Sequence, residues 1–249
     1  MNLLIDVGNT QVKLAIAHSG EILRLPTVNS SKAGPLREIL KTQSKINNCI
    51  LVQSGLFPSG WEEELYNYFP GLLELKPTTP LPLEIIYKTK ESLGMDRIAS
   101  AVGANYLFPG KNILVIDGGT AITVNLISKD AKFLGGNIIP GMSIRFKALH
   151  EYTKSLPLVK ETNDFEILGN STETAIRSGV LNGIIFELEG YINELKNKYP
   201  GLTVVMTGGD AEFFAKHLKS NIFVDLNLIF AGLNRILEYN ADQDKNYSH

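Results

Sequence analysis

An aspartate at the end of an apolar run, followed at once by a glycine-bearing bend, occurs twice in this chain. The first copy reads Leu4-Ile5-Asp6-Val7-Gly8-Asn9-Thr10, the second Val115-Ile116-Asp117-Gly118-Gly119-Thr120. Asp117 follows Asp6 by 111 residues, and Gly119 follows Gly8 by the same 111. The threonines align after a one-residue gap. Each copy runs on into a second apolar stretch, Val12 to Ala17 and Ile122 to Ile127, so each reads as strand, tight hairpin, strand. A supersecondary unit that recurs in one chain implies two related α/β halves. A length of 249 residues suits one large domain or two small ones. The boundary is expected near Pro109-Gly110, giving domains 1–110 and 111–249, with the two hairpins facing each other across a cleft.

The remaining pattern fills in both halves. Glu21 to Pro26 and Cys49 to Gln53 read as strands, Pro35 to Lys41 and Gly60 to Tyr68 as short helices. Three prolines between Pro77 and Pro82 require an extended loop. Asp96 to Leu107 has helical spacing, with Ile98, Val102 and Tyr106 on one face. A long helix is expected over Thr172 to Lys198, a strand over Val204 to Met206, a helix from Ala211, and an amphipathic helix over Leu226 to Tyr239. Asn240 to His249 is polar and is expected to be loose.

Charge and composition exclude several classes. Lys+Arg number 24 against 26 Asp+Glu, and no basic block stands out, so binding to nucleic-acid phosphates is not expected. No apolar run approaches the ~18 residues of a spanning helix. Leu3-Leu4-Ile5 is cut short by Asp6, so no secretion signal is expected and the default compartment is the cytoplasm. A single cysteine, Cys49, excludes an internal disulfide and a cysteine-rich zinc site. The four histidines share no metal-ligand spacing, and neither a P-loop nor a Gly-x-Ser-x-Gly elbow is present.

Four segments carry candidate chemistry. A bend of small residues at Asp6-Val7-Gly8-Asn9-Thr10 exposes successive N–H groups, which suits phosphate oxygens. Thr10 adds a hydroxyl, Lys13 a positive charge on the return strand, and Asp6 an oxygen ligand for Mg²⁺. The plain alternative is a type I′ hairpin with a surface lysine. Asp117 and Thr120 repeat the arrangement, as candidates for a cation ligand and a phosphate contact. In Gly94-Met95-Asp96-Arg97 the carboxylate suits a general base and the guanidinium an anionic substrate group, while Asp96 also suits a helix N-cap. Gly135 to Gly141 and Thr207-Gly208-Gly209-Asp210 read equally as cleft-shaping loops and as connectors, the second with Asp210 as a helix cap.

Together these segments resemble the type III pantothenate kinases, of the acetate/sugar kinase–Hsp70–actin superfamily. The resemblance runs from Asp6 to Lys13 through Gly94 to Arg97, Asp117 to Thr123, Gly135 to Gly141, Thr172 to Gly179 and Thr207 to Asp210 to Asp225 to Leu233. It implies a duplicated actin-like (ribonuclease H-like) two-lobed α/β fold with a central ATP cleft. It also implies ATP-dependent phosphorylation of pantothenate, the first step of coenzyme A synthesis. The ATP phosphate loop would comprise Asp6, Val7, Gly8, Asn9, Thr10, Gln11, Val12 and Lys13, with Thr120 a further ATP contact. Asp96 would match the general base. Tyr87, Gly94, Met95, Asp96, Arg97 and Thr172 would bind substrate, with Thr174 close enough to compete for the last role. Asp117 would hold a monovalent cation, K⁺ or NH₄⁺, beside a divalent Mg²⁺ elsewhere, and family members are homodimers. Phosphorylation of another small hydroxy compound, such as a sugar, and a non-catalytic regulatory relative of the same fold stand as alternatives.

Overall fold

The computed structural model describes residues 1–29, 36–41 and 45–246. The elements run β1 (Asn2–Val7), β2 (Gln11–His18), β3 (Glu21–Arg24), β4 (Val28–Asn29), α1 (Leu36–Lys41), β5 (Asn48–Gln53), α2 (Trp61–Tyr68), β6 (Leu73–Glu74) and β7 (Glu84–Ile85). After a 3₁₀ turn at Lys90–Ser92 come α3 (Met95–Leu107), β8 (Ile113–Gly118), β9 (Ala121–Ser128), β10 (Lys132–Pro140) and α4 (Met142–Glu151). The chain ends with α5 (Thr172–Lys198), β11 (Thr203–Thr207), α6 (Ala211–His217), β12 (Phe223–Val224) and α7 (Leu228–Asn246).

Two compact units emerge. The first holds Met1–Gly110, Ile127–Gly135 and the segment from Asn227 onward; the second holds Lys111–Leu126 and Gly136–Leu226. In the first, the sheet order is β3-β2-β1-β5-β6, with β4 on β2. β1 lies between antiparallel β2 and parallel β5. A strand with neighbours on both edges and both faces covered reads as a near-continuous apolar run, which is why Leu3-Leu4-Ile5 precedes Asp6. The core gathers Leu3, Ile5, Leu14, Leu51, Trp61 and Leu65. Cys49 sits on β5 opposite Leu3, 1% exposed, and burial pushes its thiol well above the ordinary range.

The return of α7 to the first unit rests on a close helix crossing. A Cβ at Gly232 would collide with the carbonyl of Ala99 on α3, and one at Gly103 with the carbonyl of Leu228 on α7. Only glycine at both places lets the two backbones touch. Asn2 Nδ2 also donates to Asn234 Oδ1 at 2.8 Å, joining β1 to α7. Helix α3, with Gly94 to Arg97 at its head, is thereby fixed in the first unit.

In the second unit, β11 pairs in parallel with β8 and β12, and β8 leads into β9. Helix α5 places Val180, Leu181, Ile184, Leu188 and Ile192 in the core, at the three-and-four spacing of an amphipathic helix. Its start is fixed by a capping box between Ser171 and Thr174.

Several expectations are corrected. Gly8 and Asn9 do not form a type I′ hairpin: positive φ is absent from residues 8–11, and the loop spans three residues, Gly8 to Thr10, closed by Gly8 N–H to Gln11 C=O at 3.0 Å. The segment read as a connector from Gly135 is strand β10 as far as Pro140. The final helix extends to Asn246, so residues 240–246 are helical rather than loose; the last three lie outside the described residues. Pro35, expected to open the first short helix, also lies outside them.

Candidate active site

In the first unit the site begins where β1 ends. Asp6 is 4% exposed. The β1–β2 register sets it opposite Lys13, whose Nζ donates to Asp6 Oδ2 at 3.4 Å. Burial raises the Asp6 carboxyl above its usual value; Lys13 opposes the shift and the negative charge of Asp96 adds to it. The charge of Asp96, the base candidate, therefore reaches the carboxyl of Asp6 in the candidate phosphate loop. Val7 and Val12 are buried strand residues, whereas Asn9, Thr10 and Gln11 are exposed at the loop tip. The loop is held from below by residues the sequence reading did not single out: Ser54 and Gly55 N–H both donate to Val7 C=O at 2.9 Å.

Asp96 is not the N-cap of α3. Gly94 occupies that place, and Asp96 lies in the first turn, with Oδ1 accepting the Arg97 N–H at 2.8 Å. This bond fixes the carboxylate at the helix start, where the macrodipole favours negative charge. Gly94, Met95 and Asp96 are half-buried. Arg97 is 6% exposed and lies beside two aromatic rings: its Cζ is 5.8 Å from the Tyr87 ring centre and 5.7 Å from that of Phe133. Tyr87, Asp96, Arg97, Asp6 and Lys13 all belong to this unit. Phe133, on β10, was missed, because no motif surrounds it in the sequence.

In the second unit the β8–β9 bend is short, closed by Gly119 N–H to Ala121 C=O at 3.2 Å. Asp117 is half-buried, level with Thr207 on β11. Two further backbones converge there. Gly141 N–H donates to Thr120 C=O at 3.2 Å, and Asp210 N–H to Gly118 C=O at 2.9 Å. Gly208 has φ near +95° and lies against Gly118, a place and conformation that admit no side chain. Asp210 occupies the N-cap position of α6 yet makes no side-chain capping bond; burial and the charge of Glu161 raise its carboxyl above the usual range.

Thr172 and Thr174 differ in their surroundings. Thr174 Oγ1 accepts the N–H groups of Asn170 and Ser171 at 3.0 and 2.9 Å, so its hydroxyl is engaged in the helix cap. Thr172 opens α5 and is exposed. Among the described residues no group of three or more histidine, cysteine, aspartate or glutamate side chains forms a ready-made metal cage.

The comparisons with known proteins bear on what this arrangement does. Residues 2–194 match the family model described as type III pantothenate kinase. A type III pantothenate kinase of Phocaeicola vulgatus is 43% identical over 240 residues, covering 96% of this chain and 99% of that one. Among solved structures, a Campylobacter jejuni protein described as a Baf family transcriptional activator superposes with a TM-score of 0.64 at 24% identity, covering 96% of this chain and 99% of that one. A glucokinase from an Antarctic psychrotroph superposes with a TM-score of 0.50 at 14% identity, covering 96% and 98%. Likenesses at such identities establish the fold, that of actin-like ATPases and sugar kinases built on two sheets. The family match and the 43% relative go further: the chain belongs to the type III pantothenate kinases, phosphotransferases that use ATP to phosphorylate pantothenate in coenzyme A biosynthesis.

Proposed function

We propose that Asp96 is the general base of this reaction, that the Asp6–Lys13 loop binds the ATP phosphates, and that Tyr87, Gly94, Met95, Arg97 and Thr172 bind pantothenate. The observation that carries this reading is geometric: the buried Asp6 pairs with Lys13 across β1 and β2, while Asp96 and Arg97 share the first turn of α3 in the same unit. Phosphoryl transfer passes through a loose transition state, so the protein's work is to position groups and stabilise charge. Asp96 orients the acceptor hydroxyl and takes its proton. Lys13 and the N–H groups of the loop meet phosphate oxygens, and Arg97 meets an anionic group of the acceptor.

A divalent ion fits the donor set. Asp6 is one buried carboxylate with a raised pKa and a single long bond to Lys13, and Mg²⁺ is usually held by one or two carboxylates plus phosphate and water oxygens. When bound, it neutralises phosphate charge. We assign Asp117 to a monovalent cation, K⁺ or NH₄⁺, and Thr120 to a nucleotide contact. The Asp117 carboxylate would offer the kind of hard oxygen such an ion prefers. The enzyme is a homodimer in this reading. Exposed apolar side chains in the second unit, Phe186 on α5 and Tyr152 after α4, support a partner surface. A cytoplasmic setting suits an ATP-consuming enzyme, and among the described residues no helix is long and apolar enough to cross a membrane.

The test is ADP release with pantothenate beside a panel of sugars. Turnover of pantothenate is expected to exceed that of any sugar; equal or better turnover of a sugar overturns the substrate assignment.

A further inference from the structure

Phe133 belongs to none of the motifs, yet it touches two of the residues assigned to pantothenate. It is fully buried on β10, and its ring meets the Tyr87 ring edge-on, with centres 6.1 Å apart and planes at 67°. Its face lies 5.7 Å from the Arg97 Cζ, inside the ~6 Å range of a cation–π contact, and Tyr87 supplies the second face at 5.8 Å. The same residue acts through its backbone. β10 pairs in parallel with β7, and Phe133 C=O accepts the Ile86 N–H at 3.0 Å, one residue before Tyr87. A further pair, Lys132 Nζ with Glu84 Oε2 at 2.9 Å, pins the start of β7.

We infer that Phe133 is a positioning residue for pantothenate: it presets the Arg97 guanidinium and the Tyr87 ring before substrate arrives. An unrestrained arginine gives up considerable rotamer freedom when it grips an anion, and a guanidinium already held beside aromatic rings gives up less. Preorganisation of this kind acts on binding. The Phe133 ring meets Tyr87 and Arg97, so its effect is expected in pantothenate binding rather than in the chemical step. The inference rests on the assignment of Tyr87 and Arg97 to the pantothenate site.

Two perturbations test it, Phe133→Leu and replacement of Phe133 by mono-, di- and trifluorinated phenylalanine. The first removes the aromatic face while keeping an apolar side chain. The second drains the face of negative potential at nearly constant shape, which a purely space-filling role would not register. For Phe133→Leu the KM for pantothenate is expected to rise on the order of tenfold, with kcat and the KM for ATP within about twofold. In the fluorinated series the pantothenate KM is expected to climb with each fluorine while the melting temperature holds. A pantothenate KM indifferent to both perturbations overturns the positioning role, as does a parallel loss in kcat and both KM values. If unmodified enzyme discriminates no better for pantothenate than for sugars, the site assignment itself falls and takes this inference with it. Normal wild-type turnover with a fluorine-insensitive KM sinks the inference alone.

Discussion

At the scale of single residues, the two carboxylates of the first unit have separable duties. Asp96 is half-buried and its Oδ1 accepts a backbone N–H, a bond that an amide oxygen can also accept. Asp96→Asn is therefore expected to keep the start of α3 intact and to bind ATP within about threefold of wild type. Its turnover is expected to drop roughly 10²–10⁴-fold, as removal of a general base does. Single-turnover rates beside ATP titrations check this; near-normal turnover would remove Asp96 from the base role. Asp6 behaves differently. Its folded-state carboxyl is held above the ordinary 3.8 mainly by burial, so ionisation disfavours the folded state at every pH above that value. Asp6→Asn is expected to melt higher than wild type at pH 7 while losing activity. The gap in melting temperature should narrow as pH falls through the raised folded value and close near the ordinary 3.8, where the unfolded carboxyl is protonated as well. A lower melting temperature at pH 7 would contradict this sign. The site gives up stability for a charge it needs, a common feature of active centres.

Among the elements, Glu189 of α5 shows the opposite titration. Burial pushes its carboxyl up. The Ser220 N–H at 2.9 Å, the Ser220 hydroxyl at 2.9 Å, the Lys219 N–H and the charge of Lys196 together outweigh that and hold it below the usual value. This clamp fastens the segment after α6 to α5. Because the folded pKa is depressed, its stabilisation is complete above about 4.5 and fades as pH falls through the lower folded value. Melting curves from pH 7 to 3 are expected to show wild type above Glu189→Gln at neutral pH, with the two converging in acid; a constant gap would refute the linkage. Elements built on local pattern were readable beforehand. The span of α5 was expected over Thr172 to Lys198, and β1 follows from its unbroken apolar run. What escaped was set by distant partners. Residues 135–140 look like a glycine-proline connector, yet they complete a strand begun at Lys132. Residues 240–246 look like a polar tail, yet they continue α7, and Asn240 Nδ2 donates to Pro80 C=O at 3.0 Å.

Across the whole molecule, the duplication of the acid-tipped bend was the most legible feature. Its residues lie in two short runs and needed no long-range contact to be seen. The role of Asp96 was less legible, since its pattern favours a helix cap, a place that Gly94 occupies. The Phe133 contact had no signal, because an aromatic on a strand reads as core until the guanidinium above it is located. If Asp117 holds a monovalent ion, exchange of K⁺ for Na⁺ at fixed ionic strength is expected to slow turnover in wild type and to have little effect in Asp117→Asn; identical wild-type rates in both salts would count against it. Cys49 offers a second experiment on the same scale. As the sole cysteine, shielded within the first sheet and kept from ionising, it can react with an alkylating reagent only while β5 and its neighbours are parted. Iodoacetamide uptake thus becomes a clock for the opening of that sheet, and its slowing by nucleotide or pantothenate would time how long each ligand keeps the strands closed.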